Sequence, residues 1–295
     1  MAENDVALIT GASTGFGRLI SITLARRGYT VFASMRDIAG RNRSHAADLE
    51  ELQRQEKLRL SVVELDVTDD LSVRQAVERV MRDAGKLDVL VNNAGISGLG
   101  LTETFAIEQA RQLFETNFFG VLRVNRAVLP HMRQRRSGLL IHISSAAGQW
   151  VAPSMGIYCA TKFALEAMAE TLRYELSQLG IDSVTIEPGP HSTASFGNAT
   201  DAADQATAAD YGTLAEIPRK LRDALAGAAA NPQNVADRVV QLIEMPAGMR
   251  PARTLVGMEQ FQQVNDVALQ SQTAVMESVG FGELMTLRRA EREAA

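Results

Sequence analysis

Short apolar runs alternate with longer amphipathic runs along the first two-thirds of the chain. The short runs have the length of buried strands, and the long runs repeat apolar residues at helical spacing. Strands are predicted at 6–10, 30–33, 60–65, 87–91, 139–143 and 181–186. Helices are predicted at 16–27, 42–57, 71–84, 105–136 (bending at Pro130) and 157–179. This rhythm predicts an α/β fold of the Rossmann type: a doubly wound parallel sheet with helices on both faces.

The rhythm breaks after Pro188-Gly189-Pro190. Residues 192–217 are rich in Ala, Thr and Asp and contain no Lys or Arg, which predicts a mobile loop with short helices, and about 190–220 should form a substrate loop. A helix is predicted at 234–244 and a last strand at 253–256. An amphipathic C-terminal extension, 258–295, ends in a charged tail. No repeat or linker divides the chain, so residues 1–295 are predicted to form one domain.

Composition narrows the classes of function. The chain has 295 residues, 46% of them hydrophobic, and a formal net charge of -5. The lack of excess basic charge argues against nucleic acid and anionic membrane partners. No secretory signal or stretch of bilayer-spanning length is apparent, and the lone Cys159 fits a reducing cytoplasm. The four histidines show no metal-ligand spacing, so no metal site is expected.

Tyr158 and Lys162 are the clearest candidates for chemistry. Four residues is just over one helical turn, so both side chains should lie on one face of the predicted helix. A nearby ammonium stabilises a phenolate, and we expect Lys162 to lower the pKa of Tyr158 toward neutrality. Ser145 lies thirteen residues upstream of Tyr158, and Ser144 is the competing choice.

A glycine-rich turn separates the first predicted strand from the first helix. Its residues are Thr10-Gly11-Ala12-Ser13-Thr14-Gly15-Phe16-Gly17. Glycines permit a tight turn and let backbone N–H groups approach a pyrophosphate at a helix N-terminus. The spacing differs from the common Gly-x-Gly-x-x-Gly fingerprint, but its position in the first βα turn predicts nucleotide binding.

The end of the second strand bears on the choice of cofactor. An acidic residue there would bind the ribose 2′-hydroxyl of NAD, whereas a basic one would favour the 2′-phosphate of NADP. The expected carboxylate position holds Ser34, and Arg36 follows two residues later. Asp37 should lie past the turn. The sequence therefore favours NADP(H) over NAD(H), with an NAD-dependent enzyme as the alternative.

In combination these residues resemble the short-chain dehydrogenase/reductase family over about residues 5 to 195. The resemblance lies in the glycine turn, in Asp66-Val67 after the third strand, in Asn92-Asn93-Ala94-Gly95 after the fourth, and in the Ser145, Tyr158 and Lys162 spacing. The amino-acid sequence at 32–36 and 117–120 is most similar to that of the hydroxysteroid and retinol dehydrogenase branch. The resemblance implies a hydride transfer between a nicotinamide cofactor and a carbonyl or secondary alcohol.

Residue roles follow from this resemblance. It implies a catalytic tetrad of Asn117, Ser145, Tyr158 and Lys162, in which Tyr158 is the general acid or base, Ser145 holds the substrate oxygen, and Asn117 perturbs its helix and holds a water beside Lys162. Asp66 would contact adenine, although it could instead belong to the N-cap of the next helix. The implied cofactor residues are Gly11, Ser13, Thr14, Gly15, Phe16, Gly17, Arg36, Asp66, Val67, Asn93, Ala94, Gly95, Pro188, Gly189 and Thr193.

The substrate and the partners are less constrained. The segment between Ser145 and Tyr158 should line the pocket, and its apolar character suits a hydrophobic ketone or alcohol. Candidate substrate residues are Gln149, Trp150, Met155, His191 and Phe196. Excess apolar surface on helices 105–136 and 157–179 predicts a homodimer or homotetramer. The competing functions are a non-catalytic NADP(H)-binding redox sensor and a nucleotide-sugar epimerase.

Overall fold

The computed structural model describes residues 5–193, 197–227 and 230–287. The strands within these residues are β1 Val6–Ile9, β2 Thr30–Met35, β3 Leu60–Glu64, β4 Val89–Asn92, β5 Gly98–Leu99, β6 Gly138–Ile143, β7 Ile181–Pro188, β8 Thr200–Asp201 and β9 Arg253–Val256. Seven of them form a parallel main sheet in the order β3-β2-β1-β4-β6-β7-β9, which confirms the predicted doubly wound sheet. The two short strands, β5 and β8, pair with each other outside the main sheet.

Helices cover both faces of the sheet because its strands are apolar on both sides. The α-helices are α1 Gly15–Arg26, α2 Arg43–Glu56, α3 Asp70–Ala84, α4 Ile107–Phe114, α5 Gly120–Arg135, α6 Gly156–Ser177, α7 Gln205–Asp210, α8 Ile217–Ala226, α9 Gln233–Glu244 and α10 Gln263–Ser278. One core joins the sheet to α1, α2 and α9, and the other joins it to α3, α5 and α6. Among the described residues, no helix is both long and apolar enough to cross a membrane.

The single helix predicted over 105–136 is interrupted in the structure. A π-helical turn, Glu115–Phe119, separates α4 from α5, whereas Pro130 lies inside α5. The interruption therefore falls at Asn117, thirteen residues before the proline. A π turn widens the backbone ring and is often retained at functional sites.

The segment predicted to be a mobile loop carries ordered structure where it is described. Strand β8 pairs with β5, and the α7–α8 region follows it. The amide of Gln109 donates to the Asp201 carbonyl at 2.8 Å, and the Asp204 amide donates to the Thr104 carbonyl at 3.0 Å. These hydrogen bonds connect the segment to α4, through Gln109, and to the turn before α4, through Thr104.

Candidate active site

A cleft of about 510 Å³ opens at the carboxyl ends of β1 to β4. This is where parallel α/β sheets bind their ligands, at the point where the strand order reverses. The lining includes most of the residues predicted to hold a cofactor: Gly11, Ser13, Thr14, Gly15, Phe16, Arg36, Asp66, Val67, Asn93, Ala94, Gly95 and Thr193. Pro188 ends β7 and Gly189 follows it, with its amide donating to the Val256 carbonyl at 2.9 Å.

At Gly11 and Gly17 the glycine turn has no room for a larger residue. Gly11 has a φ of 69°, and a Cβ at this position would lie 2.8 Å from the Ala94 Cα. A Cβ at Gly17 would collide with the Asn93 amide and the Gly11 carbonyl. The Asn93 amide donates to the carbonyls of Thr10 and Gly11 at 2.9 and 3.0 Å. This amide holds the end of β4 against the turn, leaving the N-terminus of α1 to face the cleft as an anion site.

At the end of the cleft formed by β2 and β3, the strand β2 directs Ser34 away from the cleft. Its buried hydroxyl donates to the Ile9 carbonyl at 2.9 Å. The position at which an NAD-binding chain would be expected to hold a carboxylate is therefore occupied by a serine that bonds to β1. Met35 and Arg36 line the cleft instead, together with Arg41. Asp37 turns back to accept the Arg41 amide at 2.8 Å. Two guanidinium groups therefore border this end of the cleft.

Asp66 lines the cleft and does not cap α3. The N-cap is Asp69, whose carboxylate accepts the amides of Leu71 and Ser72 at 2.7 and 3.1 Å. Asp66 accepts the Thr68 amide at 2.9 Å, and its other carboxylate oxygen lies 4.0 Å from Arg36 Nη1. The sequence left open whether Asp66 contacts adenine or belongs to the N-cap of the next helix. The structure gives the N-cap to Asp69, and contact of Asp66 with adenine stays a prediction.

Tyr158 and Lys162 lie one turn apart on α6, buried beside the end of β6. The Tyr158 hydroxyl forms hydrogen bonds with the hydroxyls of Ser145 and Ser97. The Lys162 ammonium donates to the Ile143 carbonyl at 3.0 Å and lies 5.9 Å from the centre of the Tyr158 ring. The structure thus brings together a phenol, two serine hydroxyls and an ammonium.

Burial dominates the acidity of this pair. It raises the pKa of Tyr158 to about 12, although the hydrogen bond with Ser145 acts in the opposite direction. It also lowers the pKa of Lys162 to about 8, against an opposing effect of Glu166. The expectation that Lys162 brings the pKa of Tyr158 toward neutrality is therefore corrected: loss of hydration on burial has the largest effect on the phenol and raises its pKa.

Asn117 lies in the π turn and is buried. Its side-chain amide donates to the Ile96 carbonyl at 2.9 Å and to the Thr161 hydroxyl at 3.0 Å, and its oxygen accepts the Ile96 amide at 2.9 Å. The side-chain amide is thus bonded to protein groups on both sides, and the holding of a water beside Lys162 stays a prediction. Because Thr161 precedes Lys162, these bonds fix the Gly95–Ile96 segment beside the lysine.

Apolar side chains pack in one cluster with Tyr158. The buried members are Leu99, Met155, Cys159 and Ala199, and Ala147, Ala152, Leu221 and Leu225 pack on them. Met155 therefore lies beside Tyr158, and its contact with a substrate stays a prediction. Leu221 and Leu225 come from α8, so the segment after β8 covers the tyrosine.

The other predicted substrate residues are placed differently. Gln149 directs its amide to Glu187 at 2.9 Å, and the Trp150 ring packs edge-on against Phe261 with 5.9 Å between centroids. His191 is buried against Phe16, and its Nδ1 lies 2.8 Å from the Gly189 carbonyl oxygen, a geometry that does not support a substrate contact. Phe196 lies outside the described residues.

Sequence reasoning missed several residues of the cleft, among them Ser97 and Arg41. Ser97 follows the Asn92–Gly95 motif by two residues, but only the folded chain brings its hydroxyl to Tyr158. Arg41 enters the cleft because the turn at Asp37 has a positive φ of 52°, a conformation that the sequence suggested only weakly through its Asp.

Comparison with known proteins identifies the class. A family model described as short chain dehydrogenase matches residues 5–204. The chain therefore belongs to the short-chain dehydrogenase family, whose members are oxidoreductases that bind nicotinamide cofactors.

Individual relatives support the same assignment. Human retinol dehydrogenase 8 is 36% identical over 254 residues, covering 82% of this chain and 78% of its own. A 3-ketodihydrosphingosine reductase of Bacteroides thetaiotaomicron is 38% identical over 65% of each chain, just under two-thirds of its length. A crystal structure of a short-chain dehydrogenase from Streptomyces avermitilis is 30% identical, with a TM-score of 0.76 over 96% of this chain and 99% of that one. Within the family, the chain lies in the hydroxysteroid and retinol dehydrogenase-like branch.

Proposed function

We propose that this protein is an NADP(H)-dependent carbonyl reductase or alcohol dehydrogenase acting on an apolar substrate. The observation that carries the proposal is that Tyr158, Ser145 and Lys162 lie close together beside the cleft that the glycine turn lines. The apolar surroundings of Tyr158 support a hydrophobic ketone or alcohol. Relatives named for 3-ketodihydrosphingosine and for retinol also support such a substrate.

In the proposed mechanism, Tyr158 donates its proton to the carbonyl oxygen as negative charge develops there. Ser145 donates a hydrogen bond to the same oxygen, acting as a preorganised donor. Lys162 places a positive charge beside the phenol and so limits the cost of removing its proton. The bound dihydronicotinamide would supply the hydride. In the direction of oxidation, Tyr158 would take the proton from the alcohol.

The experiment that tests the function is consumption of NADPH with a panel of apolar ketones. We expect turnover with at least one member and little with carboxylated or phosphorylated ketones, because the described side chains that pack in one cluster with Tyr158 are apolar. Tight NADPH binding without turnover of any ketone would instead favour a redox sensor.

Arg36 and Arg41 support NADP(H) as the cofactor, since guanidinium groups bind phosphate well. We expect Arg36→Ala to raise the KM for NADPH about tenfold or more, with little change in the KM for NADH. Steady-state kinetics with both cofactors measures this, and Arg82→Ala on the remote α3 is the control. An equal rise in both KM values would show that Arg36 does not recognise the 2′-phosphate.

We further propose that the protein forms a homodimer or homotetramer through α4, the π turn and α6. Ile107, Phe119 and Phe163 support this because they are exposed by 62%, 46% and 42% on those elements. Such a surface is typical of an interface. Light scattering should give two or four times the chain mass of 32.0 kDa. A mass of one chain across the concentrations tested would contradict the proposal.

A further inference from the structure

The Glu187 carboxylate of β7 is fully buried and bonded to two distant parts of the chain. One oxygen accepts the Gln149 side-chain amide at 2.9 Å, and the other accepts the Asn265 side-chain amide at 2.5 Å. A buried carboxylate costs free energy unless hydrogen bonds replace its water. Here both replacements are amide groups, one from the loop after Ser145 and one from the first turn of α10.

Burial raises the pKa of Glu187, whereas the amide hydrogen bonds from Asn265 and Gln149 and the charge of Arg253 act in the opposite direction. A second buried carboxyl, Glu166 of α6, accepts the Thr185 hydroxyl at 3.0 Å and lies 3.5 Å from Arg253, which also pairs with Glu170. Burial and the neighbouring carboxylate raise the pKa of Glu166 to about 8, and Glu166 is therefore mostly protonated at neutral pH. Glu187, which receives two N–H donors, is then the group best able to carry the charge.

Few side chains connect the start of α10 to the rest of the described protein. Asn265 is the one buried residue of this helix. Just before the helix, Phe261 packs on Trp150, and the Gln262 side-chain oxygen accepts the Leu255 amide at 3.2 Å. The rest of the helix exposes apolar residues such as Val267 and Val275. The buried amide and the aromatic contact thus both lie where α10 meets the loop between Ser145 and Tyr158.

That loop also borders the proposed catalytic group. The Cys159 thiol lies 3.7 Å from the Trp150 carbonyl oxygen, and Ala147, Ala152 and Met155 of the same loop pack beside Tyr158. A displacement at Gln149 or Trp150 would therefore alter the wall around the tyrosine.

We propose that Glu187 is a positioning residue that couples the first turn of α10 to the loop between Ser145 and Tyr158, so that the C-terminal helix sets the shape of the substrate pocket. The coupling rests on the proposed function for its effect on catalysis. Its structural part can be measured separately.

Trp150 is the only tryptophan of the chain and lies at the proposed coupling. We expect Asn265→Ala to shift its fluorescence to longer wavelength and to increase quenching by acrylamide, with the far-ultraviolet circular dichroism unchanged. The KM for the ketone should rise about tenfold, the effect of losing a hydrogen bond to a charged group. The kcat and the affinity for NADPH should stay near those of the wild type. Gln270→Ala, an exposed change on the same helix, is the matched control.

A double-mutant cycle completes the test. Gln149→Ala should produce the same changes as Asn265→Ala, and the double variant should add little, because both amides act through one carboxylate. Unchanged fluorescence and KM in Asn265→Ala, equal changes in Gln270→Ala, or full additivity would each overturn the coupling. If the wild type reduces no ketone, the proposed function fails, while the fluorescence cycle still decides whether α10 and the loop are coupled.

Discussion

Replacing Tyr158 by phenylalanine is expected to lower kcat/KM for ketone reduction about 10³-fold or more. The change removes one hydroxyl from a buried ring, so the fold and the cofactor cleft should be retained. The loss corresponds to about 4 kcal/mol of transition-state stabilisation. Stopped-flow or steady-state kinetics measures the rate, and NADPH titration measures the binding, which should remain near that of the wild type.

A second tyrosine provides the control for this substitution. Tyr29 directly precedes β2, at the amino ends of the strands, whereas the cleft lies at their carboxyl ends. Tyr29→Phe should therefore leave kcat/KM close to the wild-type value. Equal losses in the two variants would mean that Tyr158 acts through stability and not as the acid.

Loss of the Lys162 charge should have the next largest effect. We expect Lys162→Met to lower kcat/KM by about 10²-fold or more, because the variant no longer places a cation beside the phenol. The side chain is buried and donates to the Ile143 carbonyl, so the variant also leaves that oxygen without its donor. Lys57→Met, an exposed change at the end of α2, is the matched control.

The pH profile distinguishes the role of this charge from a loss of stability. With a pKa of about 12, Tyr158 stays protonated at neutral pH, so reduction should be level there. The pKa of Lys162 is lowered to about 8, so its cationic fraction falls as the pH rises through that value. Wild-type reduction should therefore decline above about pH 8, and Lys162→Met should lose this decline. An identical decline in the variant would show that another group causes it.

The sequence was sufficient to predict the sheet because its strands are continuous apolar runs and its helices have amphipathic spacing. The glycine turn and the Tyr158–Lys162 spacing were also readable, since both depend on residues close together in the chain. The break in the long predicted helix was signalled only by Asn117, a poor helix former, and attention to Pro130 misplaced it. Proline can be accommodated inside a helix, and α5 accommodates this one.

Other features depend on the folded chain. The Ser34 hydroxyl bonds to the Ile9 carbonyl of β1 and not to the cleft. Successive strand residues point to opposite faces of the sheet, so an error of one residue in register would exchange the side chains that face the cleft for those that do not. The contact between Glu187 and Asn265 joins residues 78 positions apart. The pKa of Tyr158 is set mainly by burial under α6 and α8 neighbours, which local spacing does not reveal.

The most direct test of the central claim is to follow the transferred hydride with an isotope label and to remove the proposed acid in the same reaction. The wild-type protein would be incubated with NADPH deuterated at both C4 positions and a ketone that it reduces, and the alcohol analysed by mass spectrometry. We predict one deuterium on the carbinol carbon in the wild type and a severe loss of product in Tyr158→Phe. Product without deuterium, or a Tyr158→Phe variant that forms it at the wild-type rate, would contradict the assignment of this cleft to hydride transfer with Tyr158 as the acid.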